Sequence, residues 1–550
     1  MTIQQQLESG LSHHRAGRVA EAERIYRRVL AQHPQYPDAL HLLGVLAAQT
    51  GQLEPGVELI RRAVQLQPSF AEAHNSLGNA LTGIGQLDEA IASYQEAIRL
   101  KPDYADAHCN LGSAFKSTGR LDEAVTSYRQ AIRLKPDYAE AHSNLVFSLN
   151  YLPDIDAEAI FAEHQAWADR HARPLAAEII THSNDRSPEK RLRIGYVSAD
   201  FRRHSVSYFL TALLEHHNRR NLEIFCYSGV GRPDDMTERM KHSGDIWRNI
   251  VSLSDEEAAK LIRSDGIDIL VDLSGHTARH RLCVFARKPA PIQVTYLGYA
   301  NTTGLKAIDY RLTDALADPP GMTDQFNVEK LWRLPACAWC YQPVESPDIQ
   351  PRGDGPITFG CFNAFAKINQ KMLTIWAELL RRTPGSRLLL KTAGAAEASS
   401  RQRLTDQFAG RGIPGDRIEV LGRIPDSRQH LQLYTRVDVA LDTYPYHGTT
   451  TTCEALWMGV PVVSLAGRMH VSRVGVSLLT HAGLPELIAK TPEEYLSIAS
   501  ELAANRARRD AMRAGMRSKL IASLLMDGQR FAAELEAAYR QMWRIWCERI

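Results

Sequence analysis

The sequence predicts a helical solenoid followed by a two-lobed, mostly parallel α/β region, and three observations predict it. A 34-residue period runs through the first third of the chain. Beyond residue 190, short apolar runs alternate with helical stretches, the pattern of strands joined by crossover helices into a parallel layer. A Pro-rich break at 342–355 divides that alternation into two similar sets. The length of 550 residues agrees, because one core rarely serves more than about 250–300 residues and such a length predicts about three compact units.

The repeat comes first. Pro34, Pro68, Pro102 and Pro136 stand 34 residues apart, and Gly10, Gly44, Gly78 and Gly112 keep the same spacing. So do Gly17, Gly51, Gly85 and Gly119, and Ala39, Ala73, Ala107 and Ala141, while Tyr26, Ile60, Tyr94 and Tyr128 move in step. The pattern resembles the tetratricopeptide repeat, a helix pair of that period. Small residues such as Gly78 and Ala90 let the two helices of a pair approach closely; Gly85 stops the first helix and Pro102 ends the second. Each pair leaves an apolar face that only a neighbouring pair covers, so the units must stack. Four full repeats are expected over 3–138 with a fifth first helix from 139 to 151, giving a solenoid over 1–152. Asn75, Asn110 and Asn144 share one register or nearly so. They suit two roles, an acceptor groove that hydrogen-bonds a passing peptide backbone or polar contacts between helices.

Pro153-Asp-Ile-Asp156 breaks the array, and 153–190 is expected to be a helical linker, with a helix around 157–170 and a polar stretch at 181–188. The first lobe, 191–345, carries strand patterns at 192–198, 223–227, 267–272 and 292–297. The second lobe, 346–515, carries them at 357–361, 387–391, 418–421, 437–441 and 460–465. The remainder, 516–550, reads as a helix rich in Trp and Tyr over 531–550, expected to dock back on the core.

Ligands of such sheets bind beyond the carboxyl ends of strands. After the strand ending at Leu441, the chain reads Thr443-Tyr-Pro-Tyr-His447-Gly448-Thr449-Thr450-Thr451-Thr452-Cys453-Glu454. A glycine and a run of hydroxyl residues at a helix start offer free N–H groups, threonine hydroxyls and the positive helix end to a diphosphate. Glu454, one turn in, is placed to reach a ribose hydroxyl; an ordinary threonine cap is the alternative. Asn363 and Lys367 follow the strand 357–361, where an ammonium can neutralise a leaving diphosphate. In the first lobe Arg202-Arg203-His204-Ser205 follows the strand 192–198, and His204 there is a candidate base or orienting donor. Cys337-Ala-Trp-Cys340 is a lone pair without a second CxxC, and no P-loop or GxGxxG follows a strand, so no metal or dinucleotide site is expected.

These motifs in one chain resemble the O-linked N-acetylglucosamine transferase family, including its bacterial and plant SPINDLY-like members. The resemblance rests on Leu192-Arg-Ile-Gly-Tyr-Val-Ser-Ala-Asp-Phe-Arg-Arg-His204-Ser, Lys288-Pro-Ala-Pro-Ile-Gln-Val-Thr-Tyr-Leu297-Gly298-Tyr, Asn363-Ala-Phe-Ala-Lys367-Ile and His447-Gly-Thr-Thr-Thr-Thr-Cys-Glu454. It implies a GT-B glycosyltransferase of two Rossmann-like lobes, inverting and metal-independent, that moves N-acetylglucosamine from UDP-GlcNAc to Ser or Thr hydroxyls of proteins held by the repeat groove. It also implies roles: Lys367 on the diphosphate, His430 near the nucleotide, Thr450 and Thr451 at the phosphates, Glu454 at the ribose, Leu297 and Gly298 at the sugar, and His204 as the debated base. Ala364, Ala366 and Thr449 replace a glutamine, a tyrosine and a histidine of the animal enzymes, so base contacts and donor choice stay open. UDP-glucose or GDP-fucose as donor, a different acceptor, or a repeat scaffold that binds a nucleotide sugar without turnover are the alternatives.

Composition excludes other classes. Sixty-five basic residues against 63 acidic leave a formal charge of +2, which supplies no nucleic-acid-binding coat. No apolar run reaches the ~18 residues of a membrane span, no secretory signal is visible at Met1, and eight thinly scattered cysteines suit a reducing compartment. A cytoplasmic protein with no membrane partner is expected.

Overall fold

The computed structural model describes residues 1–548. Helices Ile3–Arg15, Val19–Gln32, Pro37–Gln49, Leu53–Leu66, Ala71–Ile84, Leu87–Leu100, Ala105–Ser117 and Leu121–Leu134 form four antiparallel pairs, and Ala139–Leu149 is the fifth first helix. The periodic residues do the packing. A Cβ on Gly78 would lie 2.5 Å from the Tyr94 ring, and Gly10 and Gly112 abut Tyr26 and Tyr128 in the same way. Gly17, Gly51, Gly85 and Gly119 all take left-handed φ values of 71–95° where the first helices stop, a conformation that costs a side-chain-bearing residue free energy.

The first lobe is a seven-stranded parallel sheet: β1 (Leu192–Ser198), β2 (Leu222–Ser228), β3 (Ile246–Asn249), β4 (Ile269–Asp272), β5 (Ile292–Thr295), β6 (Tyr310–Asp314) and β7 (Lys330–Leu334), in the order β3-β2-β1-β4-β5-β6-β7. The second repeats the plan with β8 (Thr358–Cys361), β9 (Arg387–Lys391), β10 (Ile418–Leu421), β11 (Val439–Leu441), β12 (Val462–Leu465) and β13 (Ile488–Ala489), ordered β10-β9-β8-β11-β12-β13. All these pairings are parallel, and the order in which strands are added switches sides between β1 and β4 and between β8 and β11; such switch points open the crevice that ligands occupy.

Four strands depart from expectation because they lack an apolar run. β3 is a half-buried edge, β6 carries the buried Arg311, β7 alternates Lys-Leu-Trp-Arg-Leu, and β13 is two residues long. The segment 153–190 is also more than a linker. Trp167 is fully buried and donates its indole N–H to the Ala139 carbonyl (3.1 Å). His164, equally buried, donates from Nδ1 to Ile160 O and accepts at Nε2 from the Tyr299 hydroxyl of the first lobe (2.8 Å). The solenoid is thus fused to the lobe through a packed junction.

The helix Arg506–Ile521 runs across the expected boundary at 515/516. The last helix, Gly528–Glu548, returns to the first lobe, burying Phe531, Leu535, Tyr539 and Trp543 against it; Arg549 and Ile550, included in the expected helix, lie outside the described residues. The lobes meet where Ser477 donates to Asp314 and Arg473 to the Leu316 carbonyl (2.9 Å). The array touches both lobes. Arg232 of the first donates to Gln49 O (3.1 Å), and Arg403 of the second pairs with Asp88 (2.9 Å). No helix among the described residues is long and apolar enough to cross a membrane.

Candidate functional site

A cleft of about 1190 Å³ lies between the lobes at their switch points. Loops at strand ends build it, among them those after β1, β5, β8 and β11. The β11 loop is organised from below by Asp442. Its Oδ1 accepts the N–H groups of Thr443 (2.9 Å) and Gly448 (2.7 Å), and its Oδ2 accepts from Ser464 (2.8 Å). His447 is a pillar of the same turn, donating to Leu465 O (2.9 Å) and accepting the Gly475 N–H (3.0 Å). Gly448 then passes where no side chain fits: its Cβ would lie 2.2 Å from Thr451 Oγ1 and 2.8 Å from Asn363 Oδ1.

Thr449 caps the helix Thr450–Trp457, whose first turn faces the cleft through Thr449, Thr450 and Thr451. Thr451 donates to Asn363 Oδ1 (2.8 Å), joining this loop to the one after β8. The Thr450 hydroxyl is buried with no hydrogen-bond partner among the described residues, a cost that a ligand oxygen would relieve. Lys367 ends the short helical turn after β8. Its ammonium donates to the His447 carbonyl (2.7 Å) and lies 4.4 Å over the Tyr446 ring. Burial draws its pKa down to about 8, opposed by Asp442. The helix start, the threonines and Lys367 thus converge on one point, which is the chemistry of an anion site.

In the first lobe His204 sits in the turn between β1 and the helix Ser207–His216 and lines the same cleft. Its Nδ1 accepts the Val206 N–H at 3.3 Å and is 3.6 Å from Asp200 Oδ2. The shorter contact favours the tautomer with the proton on Nε2. Burial lowers its pKa, and Asp200 pulls it back up. Leu297 and Gly298 line the wall after β5. Leu297 holds a left-handed φ of 70°, and a Cβ on Gly298 would collide with the Leu273 carbonyl at 1.9 Å; backbone strain of this kind collects at functional sites.

His430 and Glu454 are outside the cleft lining and turn to each other, Nε2 to Oε2 at 3.0 Å, beneath Phe362 and Tyr434. The buried Nδ1 of His430 has no partner among the described residues. Spacing alone, 24 residues apart on separate elements, carried no sign of that pair. Asn75, Asn110 and Asn144 take part in contacts between helices: Asn110 donates to Asn75 Oδ1 (3.0 Å), Asn75 lies 3.4 Å from the Tyr104 hydroxyl, and Asn144 lies 3.8 Å from Cys109 Sγ.

The cleft also contains residues not singled out from the sequence. Arg232 and Arg279 join Arg202 and Lys367 in a lining where Asp200 is the one carboxylate. Phe147 and Tyr151 from the end of the solenoid reach it, Tyr151 stacking on Tyr446 at 4.9 Å, and Gln49, Leu53 and Gly83 bring the array to its edge. Trp339 and His470 complete it. No local signal marks these positions, since each arrives from a distant segment. Asp314, Cys337 and His481 bring one potential ligand atom each within 4.8 Å of one another. The Asp314 oxygens already accept from the Leu316, Ala317 and Ala338 N–H groups and the Ser477 hydroxyl.

Comparison with known proteins is consistent with this geometry. Residues 137–340 and 350–535 match the sequence model of glycosyl transferase family 41, and 13–80, 78–119 and 112–146 match tetratricopeptide repeat models. A relative from Oryza sativa subsp. japonica, named probable UDP-N-acetylglucosamine–peptide N-acetylglucosaminyltransferase SPINDLY, is 43% identical over 73% of this chain and 44% of its own length. The Arabidopsis thaliana protein of the same name is 41% identical over 73% of this chain and 45% of its own. The chain therefore spans less than half the length of these curated relatives. A solved structure of a mutant Thermobaculum terrenum O-GlcNAc transferase superposes with a TM-score of 0.82 at 39% identity, covering 99% of this chain and 98% of that one.

Proposed function

This chain belongs to glycosyl transferase family 41, and from that premise we propose that it moves N-acetylglucosamine from UDP-GlcNAc to Ser or Thr hydroxyls of proteins delivered along the repeat array. The observation that carries the proposal is the convergence of Lys367, Thr449, Thr450 and Thr451 on a cation-lined cleft whose rim includes array residues. The names of the relatives supply the sugar.

The acceptor oxygen attacks C1 of the sugar from the face opposite the diphosphate. The new C1–O bond forms as the C1–O bond to the β-phosphate breaks, and the electron pair leaves on UDP. Lys367 and the N–H groups and hydroxyls of the first helical turn stabilise the charge that grows there, so no metal is required. His204, with its proton on Nε2, orients the acceptor oxygen, and a diphosphate oxygen takes the acceptor's proton.

The test is nucleotide release by the purified protein with UDP-GlcNAc, UDP-glucose and GDP-fucose, each with and without EDTA and with candidate acceptor proteins. UDP-GlcNAc-dependent, EDTA-resistant release coupled to glycosylated Ser or Thr is expected. Release from another donor replaces the sugar, and EDTA-sensitive release removes the metal-free scheme. Retention of most activity in His204→Ala is compatible with orientation and excludes an obligatory base.

A further inference from the structure

His470 lies in the loop after β12 and lines the cleft between the lobes. Its Nδ1 is 2.6 Å from Oδ2 of Asp318, which comes from the opposite lobe. Asp318 is fully buried and accepts from the hydroxyls of Thr313 (2.5 Å) and Thr323 (2.7 Å), with the Arg311 guanidinium 3.8 Å away. A carboxylate held in this way accepts a proton-bearing Nδ1, and so the tautomer of His470 is set: Nε2 carries the lone pair. That Nε2 makes no hydrogen bond among the described residues. Beside it stands Trp339 of the first lobe, ring centroids 5.8 Å apart, also lining the cleft. An aromatic face next to one fixed acceptor presents an apolar surface to C–H groups and a lone pair to a hydroxyl, as a pyranose ring requires.

Granting the glycosyl-transfer function above, on which this inference rests, we propose that Trp339 and His470, with Asp318 as positioning residue, form the subsite that reads the hydroxyls of the donor's sugar. The side of the cleft supports it. His470 comes from the lobe that carries Lys367 and the threonine turn, the groups placed to hold the donor's diphosphate, whereas His204 comes from the first lobe. Burial, with Arg311 nearby, also holds its pKa below the usual histidine value, against the opposing pull of Asp318. Because Asp318 and His470 belong to different lobes, the subsite is complete only when the lobes are apposed as they are here.

The experiment uses the full chain with His470→Asn and Trp339→Leu. Asparagine keeps a donor at the Nδ1 position for Asp318 while withdrawing the Nε2 lone pair, so the contact between lobes survives. Binding of UDP is measured by calorimetry, and transfer is measured with UDP-GlcNAc, its C4 epimer UDP-GalNAc and UDP-glucose. The expected result is UDP affinity within about twofold of wild type, kcat/KM for the preferred donor lowered about tenfold, and a preferred-to-disfavoured donor ratio that shrinks by about the same factor. Equal losses on all three donors, or no loss, would overturn the subsite while leaving the transferase intact. A wild-type protein that binds UDP but turns over no sugar donor overturns the function and this inference together. A lowered rate with unchanged donor ratios and a changed pH profile would assign His470 to proton transfer instead.

Discussion

Replacing Lys367 by alanine removes the one ammonium that the second lobe brings to the threonine turn. The group is preorganised: it is half-buried, 2.7 Å from the His447 carbonyl and 4.4 Å over the Tyr446 ring, so it needs little rearrangement to meet developing charge. Two unit charges about 4 Å apart at an effective dielectric near 20 interact by about 4 kcal/mol, and loss of one preorganised donor to an oxyanion costs about 2.7–4 kcal/mol. Both place the fall in kcat at a hundredfold or more, on the order of 10²–10³. The folded state should tolerate the change, because truncation also removes a half-buried charge. Initial rates of UDP release with saturating acceptor measure it, with thermal melts as the control for folding. The pKa adds a second signature. With a value of about 8 in the free protein, about nine-tenths of the side chain is charged at pH 7 and about one-tenth at pH 9. The wild-type kcat/KM should therefore fall as pH rises through 8, a limb absent from the alanine variant. Unchanged turnover in Lys367→Ala, in a protein that melts normally, refutes the assignment of this residue to the diphosphate.

Three further outcomes follow from distances and burial. Gly448→Ala places a methyl 2.2 Å from Thr451 Oγ1; overpacking of about 1–3 kcal/mol should lower UDP affinity severalfold in calorimetry, and an unaltered Kd would show the turn is not the nucleotide site. Gly78→Ala sets a methyl 2.5 Å from the Tyr94 ring, so circular-dichroism melts should show the solenoid destabilised by about 1–3 kcal/mol while UDP affinity stays the same. His164 is buried with a pKa lowered to about 4 from 6.5, so the unfolded state binds the extra proton between those values. Its contribution to the junction is complete above pH 6.5 and is lost as pH falls toward 4, about 2 kcal/mol at pH 5; a His164→Gln protein should lose less stability on acidification, and parallel pH-dependent melts of the two would refute the role.

Legibility followed the range of the interactions. The solenoid was readable because a repeat restates its packing rule every 34 residues, and Gly78 against Tyr94 is one instance of a contact written four times over. β1, β4 and β12 were readable because buried parallel strands need near-continuous apolar runs. β6 was not, since Arg311 is accommodated in the sheet by tertiary partners, Asn327 and Asp318 among them. In the site, Gly448 through Thr451 form one contiguous segment and announced an anion-binding helix start. Glu454 was placed by its position on that helix, but its partner, His430, arrives from a helix of its own.

By itself, then, the chain determines the solenoid, the alternation of strands and helices, and the loops at strand ends that can hold a diphosphate, because each depends on residues within a few turns of one another. The tertiary structure alone decides which groups share the cleft. Tyr151 from the solenoid reaches Tyr446, Gln49 and Leu53 reach its rim, and Asp318 reaches across to His470. A side chain's burial, tautomer and charge are set by what packs against it, and at a junction of three domains those neighbours come from segments hundreds of residues apart in a chain of 550.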